Sequence, residues 1–424
     1  MLTSICGINW GDEGKGRMVD LLSEKFDVVC RYQGGNNAGH TVVNERGKFI
    51  LNLLPSGILR ENVVNVLGAG MVIDIRHLTE EVSRLRGQGI KITPENLKIS
   101  DRAVITMPYH VLLDCLEEER LADKKFGSTR RGIAPVYADK YMKKAFRMGE
   151  LLGTELLYKR VKEIVEWKNL TVAGGYRHEP VSADEMIDYF KQYGEPLKEY
   201  ICDTGVYLNE ANKAGKNIMF EAQLGALRDI DFGIYPYTSS SSTIAAYAPI
   251  GAGVPNLKLD KSIGIMKAYS SCVGEGPFTA EYFGEAAEKL RAAGGEYGAA
   301  TGRPRRVGPF DVVASRYGIR CQGADEITLT KLDVLSAYEE IEICTAYELD
   351  GKRLTEFPFP DVLDRCKPVL EKVKGWHCDI SKCKTVKDLP KEAIAYIRLI
   401  EKLCECKITY VSVGAEREAY VKFH

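Results

Sequence analysis

The stretch that most constrains the fold of this chain is residues 6–16, which read C-G-I-N-W-G-D-E-G-K-G. It follows a short apolar run, residues 2–5, and precedes R-M-V-D-L-L, and this order predicts a strand, a glycine-rich loop and a helix. Glycines let the backbone turn sharply and approach a ligand closely. Backbone N–H groups at such a turn, together with the N-terminus of a helix, attract an anion, and the arrangement favours phosphate.

Charged side chains inside the same loop point to more than phosphate binding. Lys15 adds a positive charge, but Asp12 and Glu13 would repel phosphate unless a metal ion or a proton transfer is also involved. The loop departs from the common phosphate loop, because Asp12 stands where its second glycine should be and no Ser or Thr follows Lys15. Taken alone, the stretch is equally consistent with a tight strand-to-helix turn.

The composition of the chain excludes several classes of function. The net charge of −1, from 58 basic and 59 acidic residues, predicts neither nucleic acid nor an anionic membrane as a partner. No apolar run approaches the roughly 20 residues that a membrane span needs, and no basic region with an apolar core marks a secretion signal. The 12 cysteines form no C-x-x-C pair, so we expect reduced thiols in a cytoplasmic protein.

Strand and helix patterns alternate in the N-terminal part of the chain. Residues 27–32 and 63–67 predict buried strands, and residues 75–86 predict a helix. Such alternation is typical of a parallel α/β sheet. A second glycine-rich loop, Q-G-G-N-N-A-G-H-T at residues 33–41, follows the first of these strands, where open α/β sheets bind ligands. His40 in this loop is a candidate catalytic group, although a lone histidine is more often structural.

Strand patterns nearly vanish between residues 108 and 200, where residues 111–122, 158–167 and 182–193 predict helices. We interpret this segment as a helical insertion. Within it, G-S-T-R-R-G at residues 127–132 places hydroxyl groups beside arginines, which suits an anion. Taken alone, a solvated basic face explains it better.

Later stretches add further candidate binding groups. Residues 217–221 predict a strand that ends just before Gln223, and a hydroxyl-dense run at residues 238–243 suits either a phosphate or a flexible loop. Residues 294–306, G-G-E-Y-G-A-A-T-G-R-P-R-R, carry arginines that can converge on a carboxylate or phosphate. Residues 326–333, E-I-T-L-T-K-L-D, predict a strand that ends beside Asp333, whose carboxylate can accept two N–H groups of guanine.

Taken together, these stretches resemble the adenylosuccinate synthetase family. In order they read W-G-D-E-G-K-G, R-Y-Q-G-G-N-N-A-G-H-T-V, L-L-P-S-G-I-L, T-G-R-P-R-R, T-K-L-D-V-L and S-V-G, and the resemblance runs from residue 1 to the C-terminus. It implies a GTP-dependent ligase that joins L-aspartate to IMP, giving adenylosuccinate, GDP and phosphate through a 6-phosphoryl-IMP intermediate. It also implies one Mg²⁺ per subunit and a homodimer in which Lys143 reaches the neighbouring active site.

The patterns and the resemblance together imply an α/β fold. We expect a central, mostly parallel β-sheet with flanking helices, a helical insertion and a smaller C-terminal α+β subdomain. The expected division assigns residues 1–100 and about 203–262 to the nucleotide-binding domain and about 101–202 to the helical subdomain. Residues from about 263 to 424 would form the C-terminal subdomain, with the aspartate loop and the guanine site.

The resemblance assigns the catalytic roles to two residues. Asp12 is the expected base that takes the N1 proton of IMP, and its place among loop amides and beside Mg²⁺ would keep it ionised. His40 is the expected acid that stabilises charge on the γ-phosphoryl group. Asp12 and the Gly39 carbonyl are the expected Mg²⁺ ligands, since oxygen donors suit a hard cation.

The resemblance also assigns three sets of binding residues. For GTP they are Gly11, Asp12, Glu13, Gly14, Lys15, Gly16, Arg17, Gly39, His40, Thr41, Arg305, Lys331, Leu332, Asp333, Ser412, Val413 and Gly414. For IMP they are Asp12, Lys15, Asn37, Ala38, Gly39, His40, Thr129, Lys143, Gln223, Leu224, Ser239 and Arg303. For L-aspartate they are Ala299, Ala300, Thr301, Gly302, Arg303 and Arg305.

Several positions depart from the family pattern, and they gather where IMP and aspartate are expected to bind. The family's E-G-A-Q-G reads E-A-Q-L-G here, so Leu224 takes the place of the glutamine that contacts IMP, and Gln223 lies beside it. Arg130 stands where a glycine is expected, Lys143 aligns with an arginine, and Ala300 replaces a hydroxyl-bearing residue.

Three hypotheses stay open from the sequence. The first is the family's own ligase reaction. The second is a paralogue that joins aspartate or another amine to a different 6-oxopurine nucleotide, which the departures motivate. The third is a GTP-binding regulatory protein without ligase activity, against which Asp12 and His40 argue, because a pure binder needs neither.

Overall fold

The computed structural model describes residues 1–44, 46–298, 302 and 304–424. The strands are β1 (Leu2–Gly7), β2 (Val28–Arg31), β3 (His40–Asn44), β4 (Gly47–Leu51), β5 (Val64–Leu67), β6 (Val72–Asp74), β7 (Leu97–Ser100), β8 (Val104–Thr106), β9 (Phe146–Arg147), β10 (Ile201–Cys202), β11 (Ile218–Glu221), β12 (Lys261–Lys267), β13 (Ser270–Cys272), β14 (Arg306–Gly308), β15 (Phe310–Asp311), β16 (Glu326–Thr330), β17 (Glu340–Leu349), β18 (Lys352–Leu354), β19 (Lys367–Lys374), β20 (Ile408–Ser412) and β21 (Tyr420–Lys422). The α-helices are α1 (Lys15–Leu22), α2 (Ile75–Gly87), α3 (Pro108–Leu121), α4 (Ile133–Met142), α5 (Thr154–Asn169), α6 (Ala183–Tyr189), α7 (Thr204–Lys213), α8 (Ala248–Ala252), α9 (Gly284–Gly294), α10 (Val312–Gln322) and α11 (Lys391–Cys404).

Within the described residues, ten strands form a central sheet in the order β10-β7-β5-β2-β11-β1-β12-β16-β20-β21. Neighbouring strands run parallel, except that β20 pairs with β21 in the antiparallel sense. The central strand β1 is buried along its whole length, as expected for a parallel strand that is covered on both faces. The predicted central, mostly parallel sheet with flanking helices is confirmed.

Parallel strands carry the predicted binding loops to one edge of this sheet. The first glycine-rich loop follows β1, the second follows β2, and Gln223 and Leu224 follow β11. Lys331 follows β16, and Val413 follows β20. Because parallel strands end at the same edge, segments that are hundreds of residues apart in sequence meet there.

The helix α1 is held against the sheet by an apolar face. Met18 and Val19 share a buried cluster with Val29, Met219 and Ile265, which belong to β2, β11 and β12. The glycine-rich loop before α1 is therefore anchored at both ends, by β1 and by this helix.

The helices α3, α4, α5 and α6 lie in the segment that the sequence predicted as a helical insertion. The strands β12, β16, β20 and β21 of the central sheet lie in residues 261–424, as does a smaller sheet of β15, β17, β18 and β19. The division of the chain into domains stays a prediction. In the described parts of the chain, no helix combines the length and apolar character that crossing a bilayer requires.

Candidate active site

The loop between β1 and α1 adopts a backbone that glycine makes possible. Gly11 has φ +102° and Gly14 has φ +95°, in the left-handed region where side chains are strained. Asp12 lies between them with φ +59°, and aspartate is among the few other residues that tolerate this region. The two carboxylates of the loop consequently point to different environments.

Glu13 serves as an internal anion for the loop. Its side chain is 2% exposed and accepts hydrogen bonds from the N–H of Asn9 at 3.1 Å and of Gly11 at 2.7 Å. Lys15, 3% exposed, donates to the second oxygen of Glu13 at 2.6 Å. Glu13 therefore holds the shape of the loop and orients Lys15, and its presence in an anion-binding loop has a structural cause.

Asp12, in contrast, faces outward. Its side chain is 37% exposed, and its Oδ2 lies 3.0 Å from Nη2 of Arg305. This ion pair joins the first glycine-rich loop to the arginine-containing loop before β14. The carboxylate that the sequence singled out as base and metal ligand is thus accessible, and a guanidinium group is its neighbour.

His40, the first residue of β3, packs against the first turn of α1. A Cβ placed at Gly16 would come within 2.6 Å of the His40 Cβ, so glycine at position 16 permits this contact. The two predicted glycine-rich loops therefore meet, and His40 lies beside the helix start that follows Asp12.

A buried carboxylate, Glu221 at the end of β11, orients the His40 ring. Glu221 Oε1 lies 2.6 Å from His40 Nδ1, and Glu221 is fully buried. It also accepts hydrogen bonds from Ser56, from the N–H at 2.8 Å and from the hydroxyl at 2.7 Å. Burial alone would raise the pKa of Glu221, but the hydrogen bond from His40 and the charge of Arg31 hold it below its ordinary value. An ionised carboxylate can only accept, so Nδ1 of His40 carries the proton and Nε2 is the nitrogen available for chemistry.

Gln223 and Leu224, which follow β11, do not present an exposed side-chain amide to the site. Gln223 is 1% exposed, and its side-chain amide accepts from Arg31 and donates to Asn37. Leu224, with φ +62°, lies against Gly11: a Cβ added at Gly11 would meet its Cδ2 at 3.4 Å. An apolar side chain thus borders the glycine-rich loop where the family pattern has a glutamine.

The arginine loop and the end of β16 share a buried acid, Glu296. Arg305 Nη1 donates to Glu296 Oε2 at 2.8 Å, and Lys267 Nζ donates to Glu296 Oε1 at 2.8 Å. Lys331, with its Nζ 3.5 Å from the same oxygen, stands at the end of β16. The arginine that pairs with Asp12 and the lysine that precedes Asp333 are therefore tied to one carboxylate.

Asp333 lies in the short helical turn Leu332–Leu335 that follows Lys331, and burial raises the pKa of its carboxyl group above the ordinary value. Beside it, Arg17 of α1 donates to the Ser412 hydroxyl at 2.7 Å and to the Gly414 carbonyl at 2.6 Å. The residues predicted to contact the base are thereby brought next to α1, the helix that follows the first glycine-rich loop.

Several predicted site residues form no direct hydrogen bond or ion pair with the side chains of Asp12 or His40 among the described residues. Across the described residues, no hydrogen bond or ion pair joins the exposed residues Thr129 and Lys143 to either of these two side chains. Ser239 is half-buried and reaches the second loop indirectly, through Ser241, whose hydroxyl donates to Gln33 at 2.9 Å.

The aspartate loop is described only in part. Gly302 belongs to the described residues, and its N–H donates to the Gly298 carbonyl at 2.7 Å. The predicted ligands Ala299, Ala300, Thr301 and Arg303 lie outside the described residues.

One family model, that of adenylosuccinate synthetase, matches residues 4–421 of this chain. The chain belongs to this family. It is 43% identical to the adenylosuccinate synthetase of Lactococcus lactis subsp. lactis (strain IL1403) over 417 residues, which cover 98% of this chain and 96% of that protein.

Solved structures agree with this assignment. A fully ligated adenylosuccinate synthetase from Plasmodium falciparum is 35% identical, with a TM-score of 0.94, and the match covers 100% of this chain and 99% of that one. A cyanophage S-2L succinoaminodeoxyadenylate synthetase bound to dGMP and dATP is 19% identical, with a TM-score of 0.62, over 99% of this chain and 95% of that one. The second likeness shows the fold alone.

The activity of this chain follows from its membership of the family. The chain is a ligase that forms a carbon–nitrogen bond, and its reaction is the GTP-dependent joining of L-aspartate to IMP in purine biosynthesis. It supports the first of the three hypotheses.

Two carboxylates that contact predicted site residues were not singled out from the sequence. Glu221 and Glu296 contact His40 and Arg305, from which they are separated by 181 and 9 residues. A usable signal existed for Glu221, since a carboxylate at the end of an apolar strand next to a ligand loop is unusual. Glu296 stands in the quoted stretch G-G-E-Y, between glycines and arginines, but its burial could not be read from that pattern.

Proposed function

We propose that Asp12 and His40 are the catalytic pair of this ligase and that they act on IMP held between the two glycine-rich loops. The observation that carries the proposal is that His40 of the second loop packs on Gly16 in the first turn of α1, the helix that begins at Lys15 directly after the loop that holds Asp12. An accessible carboxylate, a buried ammonium group and an oriented imidazole are the groups that phosphoryl transfer to a purine oxygen requires.

The 6-oxo group of IMP is a poor leaving group, and phosphorylation converts it into a good one. In the first step Asp12 takes the N1 proton while O6 attacks the γ-phosphorus of GTP, and the bond to the leaving GDP breaks. His40, held by Glu221 through Nδ1, stabilises the charge on the transferred group through Nε2. In the second step the amine of L-aspartate attacks C6, the C6–O bond to phosphate breaks, and the proton that the amine loses is balanced by the departing phosphate as adenylosuccinate forms.

Magnesium fits the donors of this site. Among the described residues no group of three or more His, Cys, Asp or Glu side chains could hold a metal ion. Mg²⁺ is commonly bound through one or two carboxylates together with substrate phosphates and water. Asp12 and the Gly39 carbonyl would hold the ion, because Asp12 is accessible and Gly39 is exposed. When bound, Mg²⁺ neutralises the phosphate charge that develops during transfer.

The base of GTP would be read at the end of β16. Asp333 accepts the N1–H and 2-amino N–H of guanine, which supply the donors that a partly buried carboxylate needs. Lys331 would lie beside the base, and the Ser412–Gly414 segment, which Arg17 holds by hydrogen bonds, would line the site as well. Lys15 and the loop amides would hold the phosphates, and Arg305 a carboxylate of L-aspartate.

The proposal includes a homodimer in the cytoplasm. Lys143 ends α4 next to Tyr141 and Met142, which are 77% and 56% exposed, and exposed apolar side chains of this kind favour a subunit interface. From this interface Lys143 would reach the IMP phosphate of the neighbouring subunit. Sedimentation analysis of the purified protein tests the dimer, and a monomer at all concentrations would contradict it. A cytoplasmic location agrees with the 12 unpaired cysteines.

The ligase assay tests the whole proposal. Purified protein is mixed with GTP, Mg²⁺, IMP and L-aspartate, and the absorbance of adenylosuccinate is followed. We expect product that depends on all four components. Absence of product with IMP, but turnover with another 6-oxopurine nucleotide, would support the second candidate, which the apolar Leu224 beside Gly11 favours. Absence of phosphate release with any nucleotide and amine would indicate a GTP-binding protein without ligase activity.

A further inference from the structure

Glu296 is a buried carboxylate that links Arg305 to the end of β16, and none of the proposed catalytic or binding roles includes it. Its side chain is fully buried, and it accepts from Lys267 Nζ at 2.8 Å, from the Tyr269 hydroxyl and from Arg305 Nη1 at 2.8 Å. Lys331 Nζ lies 3.5 Å away. Burial alone would raise the pKa of Glu296, but the charges of Lys267, Lys331 and Arg305 hold it well below its ordinary value. Glu296 is therefore a permanent buried anion.

The cations around Glu296 belong to different parts of the reaction site. Arg305 bridges Glu296 and Asp12: its Nη1 binds Glu296, and its Nη2 lies 3.0 Å from Oδ2 of Asp12. Lys331, in the left-handed region with φ +58°, begins the turn that carries Asp333, and its Nζ also donates to the Gly294 carbonyl. One carboxylate thus lies between the group that faces the reacting purine and the group that faces the base of GTP.

The contacts of Glu296 differ in tightness. Lys267 is 3% exposed and Arg305 15%, and both lie at hydrogen-bond distance from Glu296. Lys331 is 36% exposed and its Nζ lies 3.5 Å from Glu296. Of these three cations it is therefore the most exposed and the most distant from the carboxylate, and the one that a bound base can reach. A movement of Lys331 changes the field at Glu296, and the same carboxylate holds Arg305.

We propose that Glu296 is a positioning residue that couples the identity of the bound base to the placement of Arg305 beside Asp12. The proposal rests on the site roles proposed above for Asp12, Arg305 and Asp333. Asp333 then provides base selectivity in binding, which appears in KM. Glu296 provides a second selectivity, which appears in kcat and in the affinity for L-aspartate.

The variant Glu296→Gln keeps the size of the side chain and one acceptor oxygen but removes the charge. We expect kcat with GTP to fall roughly 10- to 100-fold, the range for loss of hydrogen bonds to a charged group. We expect kcat with ATP to fall much less, so the ratio of the two kcat values decreases. Because Lys267 would lose its buried partner and the variant could fail to fold, the double variant Lys267→Met/Glu296→Gln removes both charges together.

A matched control comes from the neighbouring arginine. Arg306 pairs with Glu281, to which its Nε donates at 2.9 Å, and neither residue contacts Asp12. Glu281→Gln removes a carboxylate from an ion pair in the same part of the chain, and we expect its kcat ratio for GTP and ATP to equal that of the wild type.

A binding measurement makes the test independent of turnover. L-Aspartate is titrated calorimetrically into protein with IMP and either GDP or ADP. The wild type should bind L-aspartate more tightly with GDP, and Glu296→Gln should bind it equally with both. Equal binding by the wild type, or equal fractional loss of kcat with GTP and ATP in both variants, would overturn the proposal. Failure of the proposed function has a different signature, namely a wild-type protein that forms no adenylosuccinate.

Discussion

Replacing Glu221 with glutamine tests whether the buried carboxylate orients His40 for catalysis. The carboxylate accepts three hydrogen bonds, at 2.6 Å from His40 and at 2.8 and 2.7 Å from Ser56. An amide has one accepting oxygen and an NH₂ group, so it leaves at least one of these donors unpaired or reverses the tautomer of His40. A hydrogen bond to a charged group contributes about 1.5–3 kcal/mol, which corresponds to about 10- to 150-fold in rate if the interaction acts in the transition state.

The assay is steady-state formation of adenylosuccinate at varied GTP concentrations with saturating IMP and L-aspartate. We expect Glu221→Gln to lower kcat by roughly 100-fold while KM for GTP stays nearly unchanged, because Glu221 acts through His40 and not on the nucleotide. Asp311→Asn is the matched control, since Asp311 is also fully buried and caps α10 by accepting from the Ala314 N–H at 3.0 Å. Unchanged kcat in a folded Glu221→Gln variant would refute the role of Glu221. Equal loss of kcat in Asp311→Asn would show that any buried carboxylate has this effect.

Three further measurements have outcomes that the structure specifies. Asp12→Asn should abolish turnover while calorimetry still detects GTP binding, and retained activity would remove Asp12 as the base. Asp333→Asn should relax the preference for GTP over ATP in kcat/KM by about 10-fold or more, whereas an unchanged preference would put the base site elsewhere. Burial raises the pKa of Asp311 from 3.8 to about 6, so its stabilising contribution is present below pH 3.8 and is lost as the pH rises through about 6. Urea unfolding should therefore be measured at a series of pH values. Between acid and neutral pH, the free energy of unfolding of Asp311→Asn should rise by up to about 3 kcal/mol relative to that of the wild type. A difference between the two proteins that does not change with pH would contradict the pKa shift.

The sequence predicted the elements that local pattern determines. The loop at residues 6–16 is flanked by an apolar strand and a helix, and its glycines mark the positive-φ turn that the structure contains at Gly11 and Gly14. The parallel sheet followed from the alternation of strand and helix, and the meeting of the loops followed from the shared direction of parallel strands. These parts of the site were predictable because each depends on a short stretch or on a general rule of topology.

Partnerships between side chains were not predictable in the same way. Glu13 and Asp12 are adjacent carboxylates, yet one is 2% exposed and binds loop amides while the other is 37% exposed and pairs with Arg305. The difference in exposure depends on the directions in which the two side chains point from a loop that contains left-handed residues. The role of Glu221 depends on β11 lying beside β1 and β2, and the strand order is set by the packing of the whole sheet.

At two of the positions that depart from the family pattern, the structure shows the physical consequence of the change. Arg130 has φ +55°, a backbone conformation that favours glycine, which is the residue expected there. Gln223 has its amide bound to Arg31 and Asn37, so its use in IMP binding would require these hydrogen bonds to be exchanged. Its predicted role, like that of Leu224, stays a prediction.

At Asp12, the left-handed backbone conformation creates a trade-off between the proposed catalytic carboxylate and the stability of the fold. With φ +59°, the position would accommodate glycine with less strain, and relief of such strain is worth on the order of 1 kcal/mol. A library selected only for resistance to heat would therefore drift toward glycine at position 12 and lose the carboxylate that we propose as the base. If Asp12 is the base that we propose, selection for growth would restore aspartate in spite of this strain.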